Sequence, residues 1–210
     1  AGLFLCCFSR ASASTDSAVV VNPADWSYDG YTGPEYWAGI NPLYAKCDSG
    51  KAQSPINIPI KGPFIAGAPT IKLLTSKLNF QAGQNSFGFV CDTKKASCGS
   101  IQYRGTKFSF KSVHGHAPSE HWINGVQYPL EMHFVHNSSD GRLAVLGVLF
   151  DHGGNSREAK RNNPDLDMFL NSSAARKNTT LRLKNFFNPK ARLCTVAGSL
   201  TSPPCLEPVT

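Results

Sequence analysis

Short runs of alternating apolar and polar residues, broken by Gly, Pro and Asn, dominate the middle of this 210-residue chain. Residues 108–116 alternate with a period of two, as a strand with one buried face does. Residues 143–150 are continuously apolar and suit a strand that is buried on both faces. Residues 137–141 form a turn between two such runs, and only 156–160 and 164–170 resemble short helices. The pattern predicts one mainly β domain, and the length is sufficient for a sizeable core.

Two of the predicted strands carry the histidines His114, His116 and His133. Residues two apart on a strand point to the same face, so His114 and His116 share a face, and His133 shares a face with Glu131. If these strands pair, the three imidazoles converge on one point beside a carboxylate. Catalytic zinc takes three protein ligands and leaves a fourth position open to water. The alternative is a set of hydrogen-bonded core histidines, and the spacing alone does not separate the two interpretations.

Five motifs follow one another along the chain. They are Gly33-Pro34-Glu35-Tyr36-Trp37, Gln53-Ser54-Pro55-Ile56-Asn57-Ile58, Pro118-Ser119-Glu120-His121, Glu131-Met132-His133 and Gly198-Ser199-Leu200-Thr201-Ser202-Pro203-Pro204. Each motif is weak alone, but in this order and spacing they closely resemble the alpha-class carbonic anhydrases, from about Trp26 to Thr210. The resemblance implies a single domain built on a large twisted, mostly antiparallel β-sheet with a few short helices.

The resemblance also implies a zinc enzyme that reversibly hydrates carbon dioxide to bicarbonate and a proton. In such an enzyme Zn²⁺ is held by imidazoles, and zinc-bound hydroxide attacks the substrate carbon. The corresponding site residues here are His114, His116 and His133 as metal ligands; Thr201 and Glu120 as the catalytic pair that orients the hydroxide; Glu131 and Ser112 as supports for the ligand histidines; and Val135, Val145, Leu200 and Val209 as the apolar substrate pocket.

Several positions depart from the family pattern. Ser112 stands where a glutamine is usual, and Gly115 where a large side chain is common, which is expected to leave space on the opposite face of the strand. Gln84 or Asn85 occupies the position at which fast members carry a proton-shuttling histidine, and neither titrates near pH 7. Tyr28 matches a tyrosine that orders the water chain. We therefore expect a working but slower enzyme that depends on buffer concentration.

Two functions of other kinds compete with catalysis. The same fold serves as a non-catalytic binding or storage protein, but such proteins usually lose a zinc histidine, whereas all three are present here with Glu120 and Thr201. A biomineral-associated matrix protein would be expected to carry an acidic or Gly-Asn-rich appendage, which is missing from this sequence. Hydrolysis of activated esters is expected only as a side activity.

The N-terminus resembles a processing segment. Residues 3–8 are apolar, and Ala11-Ser12-Ala13 matches a small-residue cleavage site, so 1–17 is predicted to be a partial signal peptide and disordered N-terminus. This run is too short to span a bilayer, and no other stretch suits a membrane helix. Residues 18–210 are assigned to the carbonic anhydrase domain, which we expect to be a fragment that is incomplete at its C-terminus. A secreted or lumenal location follows.

Seven cysteines indicate an oxidising compartment. The family resemblance pairs Cys47 with Cys205, a disulfide that would pin the loop carrying the catalytic threonine. Cys91 and Cys98 flank a polar turn, so a local bridge between them is also expected. If Cys6 and Cys7 are removed with the signal peptide, Cys194 is then left over. A cysteine-ligated zinc site is disfavoured because the chain contains no paired C-x-x-C spacing.

Three sequons, at Asn137, Asn171 and Asn178, fit a secreted glycoprotein. The formal charge of +7 raises the alternative of nucleic-acid binding. However, the basic residues are scattered, apart from a looser group at 176–192, and no aromatic-basic module is evident. We therefore expect a solvated basic surface, carbon dioxide and bicarbonate as partners, and no nucleic acid.

Overall fold

The computed structural model describes residues 8–10, 26–59, 69–82, 86–152, 163–188, 193–207 and 209. Its strands are β1 Phe8–Arg10, β2 Asn57–Ile58, β3 Thr70–Leu73, β4 Thr75–Ala82, β5 Phe87–Cys91, β6 Gly99–Tyr103, β7 Thr106–His116, β8 Trp122–Ile123, β9 Val126–Gln127, β10 Leu130–Asn137, β11 Arg142–Phe150 and β12 Thr179–Arg182. Its α-helices are α1 Trp37–Ile40, α2 Lys46–Ser49 and α3 Pro164–Ala174. Short 3-10 helices lie at Gly30–Thr32, Pro42–Tyr44 and Leu183–Phe186.

Nine of the strands in the described part of the chain form one main sheet, with the principal order β1-β11-β10-β7-β5-β4-β12. β6 pairs with β7 beside this path and also with β3. Every pairing in this sheet is antiparallel. A small second sheet, β2-β8-β9, combines one parallel and one antiparallel pairing. The prediction of a mainly β fold on a large antiparallel sheet is therefore confirmed.

β7 and β10 occupy the middle of the main sheet, and their pairing sets the positions of the histidines. The register places His133 opposite His114 and Glu131 opposite His116. β10 is buried along most of its length because β7 and β11 flank it on both sides. The continuous apolar run forms β11, which is buried through much of its length as the composition predicts.

The main hydrophobic core lies on the face of the sheet opposite the histidines. Val113, Met132 and Phe134 alternate with them along β7 and β10 and are fully buried. α3 covers this face, and its Phe169 ring packs edge-on against Phe89 of β5 at a centroid distance of 5.2 Å. The apolar core therefore holds the two central strands from one side and leaves the other side for the imidazoles.

α3 begins where the sequence predicts a helix. The Asn163 side chain caps it by accepting hydrogen bonds from the backbone N–H groups of Asp165 and Leu166 at 3.1 and 3.2 Å, and Pro164 follows as the first helical residue. The predicted end at residue 170 is wrong, because the helix continues to Ala174. Ser173 in its last turn is buried, which a polar Asn-Ser-Ser sequence does not reveal. The other predicted helix, 156–160, lies outside the described residues.

Within the segment 1–17, Phe8–Arg10 forms a strand rather than a disordered chain. This strand, β1, pairs antiparallel with β11 at the edge of the main sheet. The rest of that segment lies outside the described residues, so the signal peptide stays a prediction. In the ranges described above, no helix is long and apolar enough to cross a bilayer.

Candidate metal centre

The structure brings the three predicted histidines together on one face of the sheet. Their ring centroids lie 4.7–5.2 Å apart in all three pairs. Each ring offers a nitrogen, and these atoms all lie within 4.8 Å of one another. His133 is buried, whereas His114 and His116 are half-buried at the open side of the cluster. A single metal ion could contact all three rings.

The protonation of two of these rings suits metal binding. Burial, followed by the neighbouring His133, lowers the pKa of His114 to about 3 and that of His116 to about 2. Both imidazoles are therefore neutral at pH 7 and present a lone pair, as a ligand must. The Nε2 atom of His116 is buried and has no hydrogen-bond partner among the described residues. A buried nitrogen of this kind is costly unless something occupies it, and a metal ion fits.

Glu131 fixes the third ring. One carboxylate oxygen lies 2.9 Å from Nε2 of His133 and 2.8 Å from Nδ1 of His121, and the other accepts the His121 backbone N–H at 2.8 Å. Burial alone would raise the pKa of Glu131, but the hydrogen bonds from His121 and His133 lower it well below its usual range. An ionised carboxylate only accepts, so Nε2 of His133 carries the proton and Nδ1 is directed toward the cluster. Glu131 therefore sets the tautomer of His133.

Glu120 lies on the open side of the same cluster. Its two carboxylate oxygens lie 3.4 Å from Nδ1 of His116 and 3.8 Å from Nδ1 of His133. Burial raises the pKa of Glu120, while a hydrogen bond with Thr201 acts in the opposite direction. The structure thus brings Thr201 and Glu120 together beside the imidazoles.

The residues assigned to the apolar pocket line the neighbouring strands and the C-terminal loop. Val135 lies opposite Val145 in the β10–β11 pairing, two residues after His133 and on the same strand face as that histidine. Val209 is fully buried and packs with Val145 and Val196. Leu200 is half-buried and immediately precedes Thr201. The role of these residues as a substrate pocket stays a prediction.

The loop that carries Thr201 is anchored to the N-terminal part of the domain. The structure contains the predicted disulfide between Cys47 and Cys205, with a Cα–Cα distance of 5.0 Å. At its base the loop closes through reciprocal backbone hydrogen bonds between Gly198 and Val209, at 3.0 and 2.7 Å. The second expected bridge, Cys91–Cys98, is also formed. Cys194 is buried and belongs to neither disulfide.

Four predicted positions are placed less directly. Ser112 lies opposite Val135 on the strand face of the histidines, and its support of the ligands stays a prediction. Tyr28 packs against Trp26 and Trp37, and burial followed by the charge of Glu120 raises its pKa to about 12. Gln84 and Asn85 lie outside the described residues.

The space expected opposite Gly115 is no larger than a methyl group. A Cβ atom at this position would lie 3.6 Å from both Leu130 and Phe169, which are ordinary contacts. Phe169 belongs to α3, so a helix distant in the sequence covers this face.

Sequence reasoning missed two glycines that border the cluster. Gly88 of β5 lies opposite His114, and a Cβ there would approach the Cβ of His114 to 2.9 Å. Gly147 of β11 lies opposite His133, and a Cβ there would lie 3.1 Å from Oε1 of Glu131. Glycine inside a strand often marks such a close approach, and Gly147 lies in the run 143–150 that the sequence identifies as a strand.

An antiparallel sheet that presents three converging imidazoles with a supporting carboxylate defines a protein with a three-histidine candidate metal centre. A sequence model of the eukaryotic-type carbonic anhydrase family matches residues 32–210. The chain therefore belongs to the carbonic anhydrase family, and the resemblance noted from its motifs is confirmed.

Individual relatives agree with this assignment. A carbonic anhydrase of Klebsiella pneumoniae is 32% identical over 201 residues, which cover 91% of this chain and 77% of the relative. The solved structure of the Photobacterium profundum alpha-carbonic anhydrase superposes with a TM-score of 0.72 at 30% identity, covering 87% of this chain and 81% of that one. A dioscorin from Dioscorea polystachya is 32% identical over 226 residues, 99% of this chain and 75% of the relative.

Proposed function

We propose that this protein catalyses the reversible hydration of carbon dioxide to bicarbonate and a proton, with zinc as its metal. The observation that carries the proposal is the cluster of three imidazoles with nitrogens within 4.8 Å of one another, one of them buried without a partner among the described residues. His114, His116 and His133 would hold the ion. When bound by three neutral imidazoles, zinc lowers the pKa of a water ligand from about 15.7 to near 7 and supplies hydroxide at neutral pH.

Thr201 and Glu120 would orient the nucleophile. Glu120 shares a hydrogen bond with Thr201, and its carboxylate form would accept that bond from the threonine hydroxyl. The threonine oxygen would then be left to accept a hydrogen bond from a hydroxide supplied at the metal. That bond would orient the hydroxide toward the substrate carbon. Glu131 contributes indirectly, by holding His133 in one tautomer.

Carbon dioxide is apolar, so its pocket must exclude competing polar groups rather than donate hydrogen bonds. Val135, Val145, Leu200 and Val209 would form that wall, with Val209 packed on Val145. The proton produced leaves through solvent and buffer, since Tyr28, with a pKa raised to about 12, does not titrate near neutrality. Turnover should therefore rise with buffer concentration.

A location in the secretory route belongs to the same proposal. Two disulfides, Cys47–Cys205 and Cys91–Cys98, support an oxidising compartment.

The test is stopped-flow measurement of carbon dioxide hydration by the protein purified from its source, with zinc determined on the same sample. Hydration that is lost on chelation and restored by zinc supports the proposal. One bound zinc without hydration would instead favour a non-catalytic binding protein. The match to a dioscorin, at an identity equal to that of the Klebsiella enzyme, gives this second candidate its support.

A further inference from the structure

The Gln53-Ser54-Pro55 motif takes no direct part in the metal centre, yet it contacts the loop that carries Thr201. We call residues 198–207 the Thr201 loop and residues 47–54 the platform segment. The outgoing arm of the loop is tied to the platform by two hydrogen bonds, from the Ser54 backbone N–H to the Ser199 hydroxyl at 2.9 Å and from the Ser199 backbone N–H to the Ser54 hydroxyl at 3.4 Å. Both serines are buried.

The returning arm is tied to the platform by the carboxylate of Glu207. One oxygen accepts the Ala52 backbone N–H at 2.6 Å and the Gln53 side-chain amide at 2.7 Å, and the other accepts the Lys51 backbone N–H at 3.0 Å. The same Gln53 amide also donates to the Cys205 carbonyl at 3.1 Å. The backbone N–H of Lys51 and the Gln53 side chain lower the pKa of Glu207, so it is ionised at neutral pH. Hydrogen bonds to an ionised acceptor are stronger than neutral ones.

Gly50 makes room for this contact. A Cβ atom at Gly50 would lie 2.6 Å from Oε1 of Glu207 and would also overlap the Gln53 amide. Both obstructing groups are ends of side chains, so an added methyl group would displace them rather than the backbone. The carboxylate of Glu207 therefore needs a glycine at this position.

The two arms are joined to each other around Thr201. Leu200 donates its backbone N–H to Leu206 at 3.2 Å, and Cys205 donates to Ser202 at 2.9 Å. Cys205 has a positive φ of 51°, a conformation that a non-glycine residue keeps only when its surroundings hold it. Fixing both arms on the platform thus fixes Thr201 at the tip between them.

We propose that Glu207 is a positioning residue for Thr201, acting through the platform segment rather than by touching the reacting atoms. This inference rests on the proposed function, because Thr201 orients the nucleophile only if hydration occurs. Loss of the carboxylate should let the Thr201 loop move relative to Glu120 while leaving the histidine cluster on β7 and β10 in place.

Hydrogen–deuterium exchange on the zinc-loaded protein tests the positioning without any need for turnover. Glu207→Ala and Gly50→Ala should both speed exchange of the Leu200 and Cys205 amides, with β7 and β10 unchanged. Glu207→Gln keeps one carbonyl oxygen, so its exchange rates at these amides should lie between those of wild type and Glu207→Ala. Asp48→Asn, an exposed carboxylate on the platform, is the matched control and should match wild type. Unchanged exchange in Glu207→Ala would overturn the proposal, as would equal acceleration in the β7 and β10 amides.

Kinetics then test whether the movement acts through Thr201. Glu207→Ala should lower kcat for hydration by about 10- to 100-fold with KM and zinc content close to wild type, since small misplacements of an orienting group have effects of this size. In a Thr201→Ala background the same substitution should lower kcat by less than about twofold, because the group it positions is already gone. An equal loss in both backgrounds would contradict the proposal. If wild type does not hydrate carbon dioxide, the proposed function fails, and exchange alone decides whether Glu207 holds the loop.

Discussion

Replacement of Glu131 by glutamine should cost the metal-free protein about 3–5 kcal/mol of unfolding free energy. The wild-type carboxylate is 1% exposed and accepts hydrogen bonds from the His121 backbone, the His121 ring and the His133 ring. A glutamine accepts at only one terminal atom, so at least one buried donor is left facing an NH₂ group. A hydrogen bond to a charged group contributes about 1.5–3 kcal/mol, so losing one or two of them costs about 1.5–6 kcal/mol, a range that contains the expected loss.

Glu120→Gln is the matched control, because Glu120 is also a largely buried carboxylate beside the same histidines. Its pKa is raised by burial, whereas the pKa of Glu131 is lowered by the hydrogen bonds that outweigh its burial. The ionised form of Glu120 is therefore disfavoured by folding, and a neutral amide removes that cost. Glu120→Gln should keep the unfolding free energy within about 1 kcal/mol of wild type, or raise it.

Urea denaturation after removal of metal with a chelator measures both variants on one scale. At pH 7 we expect a lower midpoint for Glu131→Gln at unchanged slope. The depressed pKa of Glu131 in the folded state stabilises the wild-type protein at pH values above the unfolded pKa of about 4.3. The difference in unfolding free energy between wild type and Glu131→Gln should therefore narrow as the pH falls below that value. Equal losses for the two glutamine variants, or a Glu131→Gln loss below about 1 kcal/mol, would refute this reasoning.

Four further substitutions have defined expectations. Gly115→Ala should be neutral or add up to about 1 kcal/mol of stability, because the added Cβ makes ordinary contacts. Gly88→Ala should cost at least about 1–3 kcal/mol and weaken zinc binding, because its Cβ would approach His114 too closely. Urea unfolding measures the stability of both variants, and a chelator competition measures zinc binding. Replacing Cys205 by serine breaks the link to Cys47 across a sequence separation of 158 and should cost about 2–5 kcal/mol, measured by thermal unfolding with and without reductant. Asn178 is exposed directly before β12, and its side-chain oxygen accepts the Phe80 backbone N–H. It should carry a glycan on secretory expression, and Asn178→Gln should remove one glycosidase-sensitive mass increment. An unchanged mass would exclude this site.

Local periodicity was sufficient to place the histidines on one face but not to pair them. The i, i+2 spacing of His114 and His116 follows from strand geometry, and so does the shared face of Glu131 and His133. Their convergence depends on the β7–β10 register, which brings His133 opposite His114 across eighteen intervening residues. A one-residue slip would have turned His133 to the core face, so this contact came from the family resemblance rather than from the pattern.

The errors lie where distant segments meet. The room opposite Gly115 is limited to the size of a methyl group by Phe169, more than fifty residues further along the chain. α3 extends past its predicted end, and Ser173 in that extension is buried. Phe8–Arg10, expected to be disordered, pairs with β11. The role of Glu207 was likewise missed, since its three donors lie on the platform segment about 155 residues earlier.

Titration of zinc into the metal-free protein, with carbon dioxide hydration followed by stopped flow at each addition, tests whether the histidine cluster is the catalytic centre. The rate should rise linearly to one equivalent of zinc per chain and then stay constant. The matched His116→Ala protein should show no rise over the same range. One equivalent of zinc bound to wild type without any gain in rate, or an identical titration for His116→Ala, would contradict a catalytic centre built on these three imidazoles.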